Sequence, residues 1–249
     1  MWVPDIGELL FSCSRPSYSP PNQRCRWFVV YGGYAAFDTS PPAIIVVAKT
    51  DFPIVAHQKA VKAAGGTVVD REYGTDKTTN WMAVLTTIKS HVPDGIVFTG
   101  GDTQAAAFAQ QAQRLGLRAK LIAGDEACTP QFIKLAGTSM NSDTYCTLAG
   151  VPPSKMPQGD AFFKRYQQRF GVPVQLYAPY AYDAVMAMVG AMQAADSTDP
   201  KVYLSKLQAL NLDGVTGPIQ FDDKGDIRNG AITVRQFGQG DWQDRSVVR

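Results

Sequence analysis

Apolar positions run unbroken through AIIVVAK at 43–49. A run of that length without polar interruption marks a strand buried on both faces. The spacing then lengthens to three and four residues in VAHQKAVKAAGG, 55–66, which predicts a helix stopped by its Gly-Gly. TVVDREY, 67–73, alternates like a strand, and TTNWMAVLTTIKSHVP, 78–93, is helical with Trp81, Val84, Leu85 and Ile88 on one face. DGIVFTGG, 94–101, is a second buried strand closed by glycines; DTQAAAFAQQAQRLGL, 102–117, is an alanine-rich helix ended by Gly116; AKLIAGD, 119–125, is a third buried strand. Strand and helix therefore alternate, which predicts a parallel sheet with right-handed crossovers.

Beyond this series come a helix at TPQFIKLAG, 129–137, and a strand near DTYCTLAG, 143–150. The prolines of VPPSKMPQG, from Val151, break the pattern and predict a crossover into a different lobe. DAFFKRYQQRFG (160–171), YAYDAVMAMVGAMQAADS (180–197) and PKVYLSKLQAL (200–210) read as amphipathic helices. The stretch 216–242 reads as short strands joined by Asp, Gly and Asn turns. Residues 1–40 follow no period; Pro, Ser and Arg interrupt each one, and the segment reads neither as a signal peptide nor as the start of a domain.

In open parallel sheets ligands bind outside the carboxyl ends of the strands. Thr50-Asp51, Gly100-Gly101-Asp102 and Gly124-Asp125-Glu126 are three such ends, so their acids are expected along one rim, suited to a cationic ligand group or a metal. Composition narrows the choice. A formal charge of +2 over 249 residues offers no basic footprint for nucleic acid. No apolar stretch approaches the length of a membrane-spanning helix. His57 and His91 are the only histidines, neither beside a nucleophile in sequence, and no cysteine or histidine spacing suggests zinc. The loop DDKGD, 222–226, lacks the closing glutamate of a calcium site and reads as a turn. No metal and no cofactor are expected, and the chemistry points to binding rather than catalysis.

The stretches KAAGGTVVDREYGTDKTTNW, PDGIVFTGGDTQAAAFAQQAQRLGLRAKLIAGDEACTPQFIKLAG, QLYAPYAYDAVMAMVGAMQAADSTDP and GVTGPIQFDDKGDIRNGAITV cover most of 43–242. They resemble the periplasmic branched-chain amino acid binding proteins, the Leu/Ile/Val-binding substrate receptors of ABC transporters. The resemblance implies an α/β, two-lobed type I periplasmic binding protein fold, with parallel sheets flanked by helices. It implies that 43–150 forms most of the second lobe, 151–220 a crossover and partial first lobe made mainly of helices, and 221–249 strands crossing back, with 1–42 unlike the family. The first lobe is expected to be incomplete, as in a truncated or rearranged product, because nothing in 1–40 looks like its opening βα units.

The resemblance also assigns roles. Asp125 matches the acid that meets the ligand's ammonium; the alternative is a cap for helix 129–137, although Thr129 is better placed. Asp102 matches a polar family position and could equally cap the helix that follows it. Gly101 stands where some relatives carry an aromatic ligand contact, Tyr177 where an aromatic meets the ligand's side chain, with plain core packing the alternative, and Phe52 in place of a family tyrosine. Cys128 and Cys146 are compatible either with a disulfide in an oxidising compartment or with two buried thiols. The implied partners are an amino acid ligand and a membrane permease; a monomer in the periplasm is expected. The rival readings are a ligand-sensing regulatory domain of the same fold and a non-functional fragment.

Overall fold

The computed structural model describes residues 27–30, 33–35, 43–48 and 58–249. The chain divides into two compact units, one of Met1–Leu148 with Ile232–Val248, the other of Ala149–Ala231 with Arg249.

The first unit is built on a seven-stranded sheet. Its strands are β3 (Ala43–Ala48), β4 (Thr67–Tyr73), β5 (Gly95–Phe98), β6 (Lys120–Ala123), β7 (Thr144–Ala149), β10 (Ile232–Gly238) and β11 (Asp241–Val248), in the order β11-β10-β7-β6-β5-β3-β4. Neighbours from β4 through β3, β5 and β6 to β7 run parallel. β10 and β11 form an antiparallel hairpin. The short strands β1 (Trp27–Val30) and β2 (Gly33–Ala35) pair antiparallel in a separate ladder. The helices of this unit are α1 (58–63), α2 (Met82–Ser90), α3 (Asp102–Arg114) and α4 (Pro130–Ala136).

The continuous apolar runs occupy the centre of this sheet. Ile44, Val46, Val97, Ile122 and Tyr145 meet Val61 of α1 in one core cluster, and all four residues of β5 are buried. β4 lies at the edge and alternates between half-buried and exposed, as its sequence alternates. Around β5 the core is aromatic: Trp81, Phe98 and Phe108 stand with ring centroids 4.9–5.6 Å apart. Trp81 opens α2, and its backbone N–H, left without a helical partner, donates to Gln111 Oε1 of α3 at 2.8 Å.

Gly74, just after β4, is the counterpart of that packing. A Cβ there would lie 2.1 Å from Trp81 Cη2 in the buried indole ring. Gly74→Ala is therefore expected to lower stability by about 1–3 kcal/mol, the usual cost of overpacking, read as a lower urea midpoint with unchanged slope. An unchanged midpoint would mean that the indole has somewhere else to go.

The second unit contains α5 (Gly159–Phe170), α6 (Ala178–Ala195), α7 (Pro200–Gln208) and the antiparallel pair β8 (Asn211–Asp213) and β9 (Pro218–Gln220). The amphipathic pattern expected of 180–197 is not what α6 shows. Its buried stripe is Pro179, Asp183, Ala187 and Ala191, so its single charged residue faces inward, while Val185, Met186 and Val189 are exposed. Asp183 is 3% exposed. Its carboxylate accepts from the backbone N–H groups of Val215 and Thr216, each at 2.8 Å, and from Thr216 Oγ1 at 2.7 Å. The Gly-Val-Thr-Gly-Pro-Ile stretch is thereby held onto α6, and Gly214 leaves the necessary room, since a Cβ there would sit 2.6 Å from Asp183 Oδ2.

Tyr180, one turn earlier, donates to the carbonyl of Ala149 at 2.8 Å. Gly150 has φ +82° and passes so close that a Cβ would meet the phenol oxygen at 2.3 Å. Burial, helped by the charge of Asp183, pushes the Tyr180 phenol up to about 12. The folded state holds this proton more tightly than the unfolded chain, so the stability it supports is complete below pH 10 and is lost as pH rises from about 10 to 12. In a spectrophotometric titration one of the ten tyrosines is expected to ionise late. Tyr180→Phe should remove that late step; a variant that keeps it would assign the step elsewhere.

Candidate functional site

The carboxyl ends of β5 and β6 lie side by side because the two strands are paired in parallel, Phe98 against Ala123. The backbone N–H of Gly124 still reaches the carbonyl of Phe98 at 3.1 Å, so the two chains part only beyond this point. One end then turns through Gly101 into α3, the other through Gly124 into a single 3-10 turn, Asp125–Ala127. Gly101 and Gly124 are both extended at the entry to these turns, with ψ of 170° and 178°.

Asp102 is the first residue of α3, half-buried, and the cap position before it is Gly101. The capping alternative for Asp102 is thus not realised: no side-chain cap bond is made at that helix start. Its carboxylate instead accepts from Thr129 Oγ1 at 3.3 Å and from Thr103 Oγ1 at 3.4 Å. Thr129 is the cap of α4: its Oγ1 accepts from the backbone N–H of Phe132 at 3.0 Å. One hydroxyl therefore receives a helix N–H and passes its own proton toward Asp102, tying the β5 end to the β6 end. Asp125 is half-buried in the 3-10 turn and does not cap α4 through that bond. Glu126 is exposed, and its carboxylate lies 3.9 Å from where a Cβ on Gly101 would be.

The structure brings Gly101, Asp102, Glu126 and Thr129 into one neighbourhood, with Asp125 on the same turn. Tyr177 belongs to the second unit, at the cap position of α6, and is 46% exposed. Phe52 and Asp51 lie outside the described residues.

Reading the sequence missed a shallow depression at the ends of β3, β4 and β5. Its floor is Val47, Trp81 and Phe98, and its rim is Gly74, Thr75, Thr99, Gly100 and Gln104. Trp81 Nε1 is buried there without a hydrogen-bond partner among the described residues. The available signal was the glycine that follows a strand and faces an aromatic, but the pairing becomes visible only when Gly74 and Trp81 are superposed in space.

Cys128, after the 3-10 turn, and Cys146, in β7, are joined as a disulfide with Cα atoms 5.3 Å apart. It closes a loop 18 residues long in sequence, and a loop of that length is worth about 3 kcal/mol against the reduced chain. Peptide mapping without reduction, on protein made in an oxidising compartment, is expected to recover the linked peptides, and reduction to lower the midpoint of unfolding. Two alkylatable thiols in folded protein would contradict this. Among the described residues no cluster of three or more His, Cys, Asp or Glu could hold a metal, and no helix is long and apolar enough to cross a membrane.

A family model described as periplasmic binding protein matches residues 53–241. Among curated relatives, a Leu/Ile/Val-binding protein homolog 2 of Brucella abortus is 30% identical over 148 residues, 59% of this chain and 39% of its own length. Among solved structures, a leucine binding protein from Thermotoga maritima superposes with a TM-score of 0.73 at 24% identity, over 83% of this chain and 61% of that one. A solute binding protein of an ABC transporter from R. palustris, in complex with benzoate, superposes with a TM-score of 0.70 at 17% identity, over 84% of this chain and 58% of that one. The chain thus spans less than two thirds of the length of each of these relatives. With its parallel sheet, its second helical unit and a family match over 53–241, this chain belongs to the periplasmic binding protein family, with the α/β fold of the type I members.

Proposed function

We propose that this chain serves as a substrate-binding component of an ABC transporter, holding a branched-chain or related amino acid in the periplasm for a membrane permease. The observation that carries the reading is the half-buried acid Asp125 at the carboxyl end of β6, beside Gly101 and Asp102. A carboxylate at that rim suits an α-ammonium group, which amino acids carry and benzoate lacks. An ammonium–carboxylate contact is a charge-assisted hydrogen bond, worth about 1.5–3 kcal/mol. By the resemblance, Phe52 and Tyr177 are the candidates for the ligand's apolar contacts. The named relatives supply the ligand class: the Brucella protein is named for leucine, isoleucine and valine, and the Thermotoga protein for leucine. The role is capture, and no turnover of amino acid amides or esters is expected.

The test is calorimetry with L-leucine, L-isoleucine, L-valine and benzoate. The reading expects any heat to come from the amino acids. Binding of benzoate alone would move the assignment to aromatic acids. Hydrolysis of leucinamide that is lost in Asp125→Ala or Asp102→Ala would replace it with an enzyme.

A further inference from the structure

Asn229 and Gly230 form the last turn before β10, just beyond the bridged residues Phe221 and Ile227. Backbone geometry accounts for both. Asn229 has φ +54°, in the left-handed region that asparagine enters more readily than most side chains. Gly230 lies so close to Ile227 that a Cβ on it would sit 2.8 Å from Cγ2. The turn thus asks for asparagine and then glycine. That order also puts the asparagine amide next to a backbone nitrogen with no Cβ beside it. The other described asparagines are held: Asn80 Oδ1 accepts from the N–H of Met82 at 3.1 Å, Asn141 Oδ1 from the N–H of Asp143 at 2.7 Å, and Asn211 Oδ1 from Gln220 Nε2 at 2.9 Å. Among the described residues the side chain of Asn229 makes no hydrogen bond, and neither does the N–H of Gly230.

We propose that Asn229 is a site of spontaneous deamidation through a cyclic imide. The Gly230 backbone nitrogen bonds to Asn229 Cγ, the Cγ–Nδ2 bond breaks, and the proton of the Gly230 N–H leaves with that nitrogen as ammonia. Water then opens the ring. Opening at Cγ gives aspartate; opening at the backbone carbonyl gives isoaspartate, in which the main chain runs through Cβ and Cγ. Water is the only co-reactant, and both residues of the turn are exposed. The fold offers this pair no protection: an unpaired N–H has no bond to give up before it attacks, and an unheld amide is free to turn toward it. The flanking residues are fixed. The N–H of Arg228 donates to the carbonyl of Gln220 at 2.8 Å, and the carbonyl of Ala231 accepts from the N–H of Gly150 at 2.6 Å. Isoaspartate inserts one more main-chain atom between these two fixed points, and either product puts a carboxylate where a neutral amide stood. The inference is independent of which ligand the first unit holds.

The test follows the full chain at pH 8 and 25 °C over days, folded by circular dichroism, beside the same chain unfolded in guanidinium chloride. Samples are digested, and the peptides are weighed and sequenced by electron-transfer fragmentation, which tells isoaspartate from aspartate. The peptide carrying Asn229 is expected to gain one mass unit, partly as isoaspartate, at a rate within tenfold of the unfolded chain. The peptide carrying Asn141, whose amide is held, should react at least tenfold more slowly folded than unfolded. Asn229→Gly suits the positive φ and has no amide to lose, so it should abolish the gain at this peptide. A folded chain in which Asn229 reacts more than tenfold below its unfolded rate would show that the turn protects it, and the proposal would fall. It would fall equally if the gain persisted in Asn229→Gly, or if folding left Asn141 as reactive as Asn229.

Discussion

Asp183→Ala is expected to destabilise the second unit by about 3–5 kcal/mol. The carboxylate is 3% exposed and accepts from Val215 N–H, Thr216 N–H and Thr216 Oγ1. Truncation removes all three bonds at once. It strands the buried N–H of Val215, at a cost of about 1–3 kcal/mol, and the part-buried N–H of Thr216 at a smaller one, and it leaves a small cavity beside Gly214. Asp183→Asn should cost less, since one amide oxygen can still accept, while its NH2 group would face donors. Hydrogen exchange at the amides of Val215 and Thr216 is the direct readout, with urea denaturation for the whole chain. Unchanged protection of both amides in Asp183→Ala would show that the stretch from 214 to 219 is held by other contacts.

Asp125→Ala is expected to cost about 2–5 kcal/mol of leucine affinity in a protein that can close around its ligand, the penalty for stranding a buried charged partner. The resemblance places the groups that hold the ligand's carboxylate in βα units of the first lobe, outside the stretches of 43–242 that carry it. A site lacking them leaves its ion pair in water, where it contributes little. Residues 43–249 without those units are therefore expected to bind leucine very weakly or not at all. The measurement is made on a chimera in which a first lobe of the family precedes residues 43–249. Calorimetry should show affinity restored in the chimera and lost again with Asp125→Ala. A chimera indifferent to Asp125 would remove this residue from the site, and micromolar binding by residues 43–249 alone would show that the first-lobe groups are not needed.

Much of the first unit was legible in the sequence, because its elements announce themselves locally. AIIVVA and GIVF become β3 and β5 at the centre of the sheet, since only a strand covered on both faces can use an unbroken apolar run. The strand ends carrying Gly101-Asp102 and Gly124-Asp125 were legible for the same reason: once the strands are placed, their carboxyl ends follow. The capping question at Asp102 was not legible. Cap and ligand contact have the same sequence signature, and the choice depends on Thr129, 27 residues away.

The chain by itself determined the alternation of strand and helix, the parallel direction of β3 to β7 and the turn at 222–226, where Asp222 accepts from the N–H groups of Lys224 and Asp226. Each of these rests on side-chain periodicity or on bonds that span a few residues. Only the tertiary structure decided that the returning strands β10 and β11 form a hairpin seated beside β7, that Gly74 exists to admit the Trp81 ring, and that the acid of α6 points inward to hold Val215 and Thr216. Local patterning reports which face of a helix or strand is apolar. It carries no information about which distant backbone donors will meet a buried carboxylate, because that depends on where the intervening chain returns.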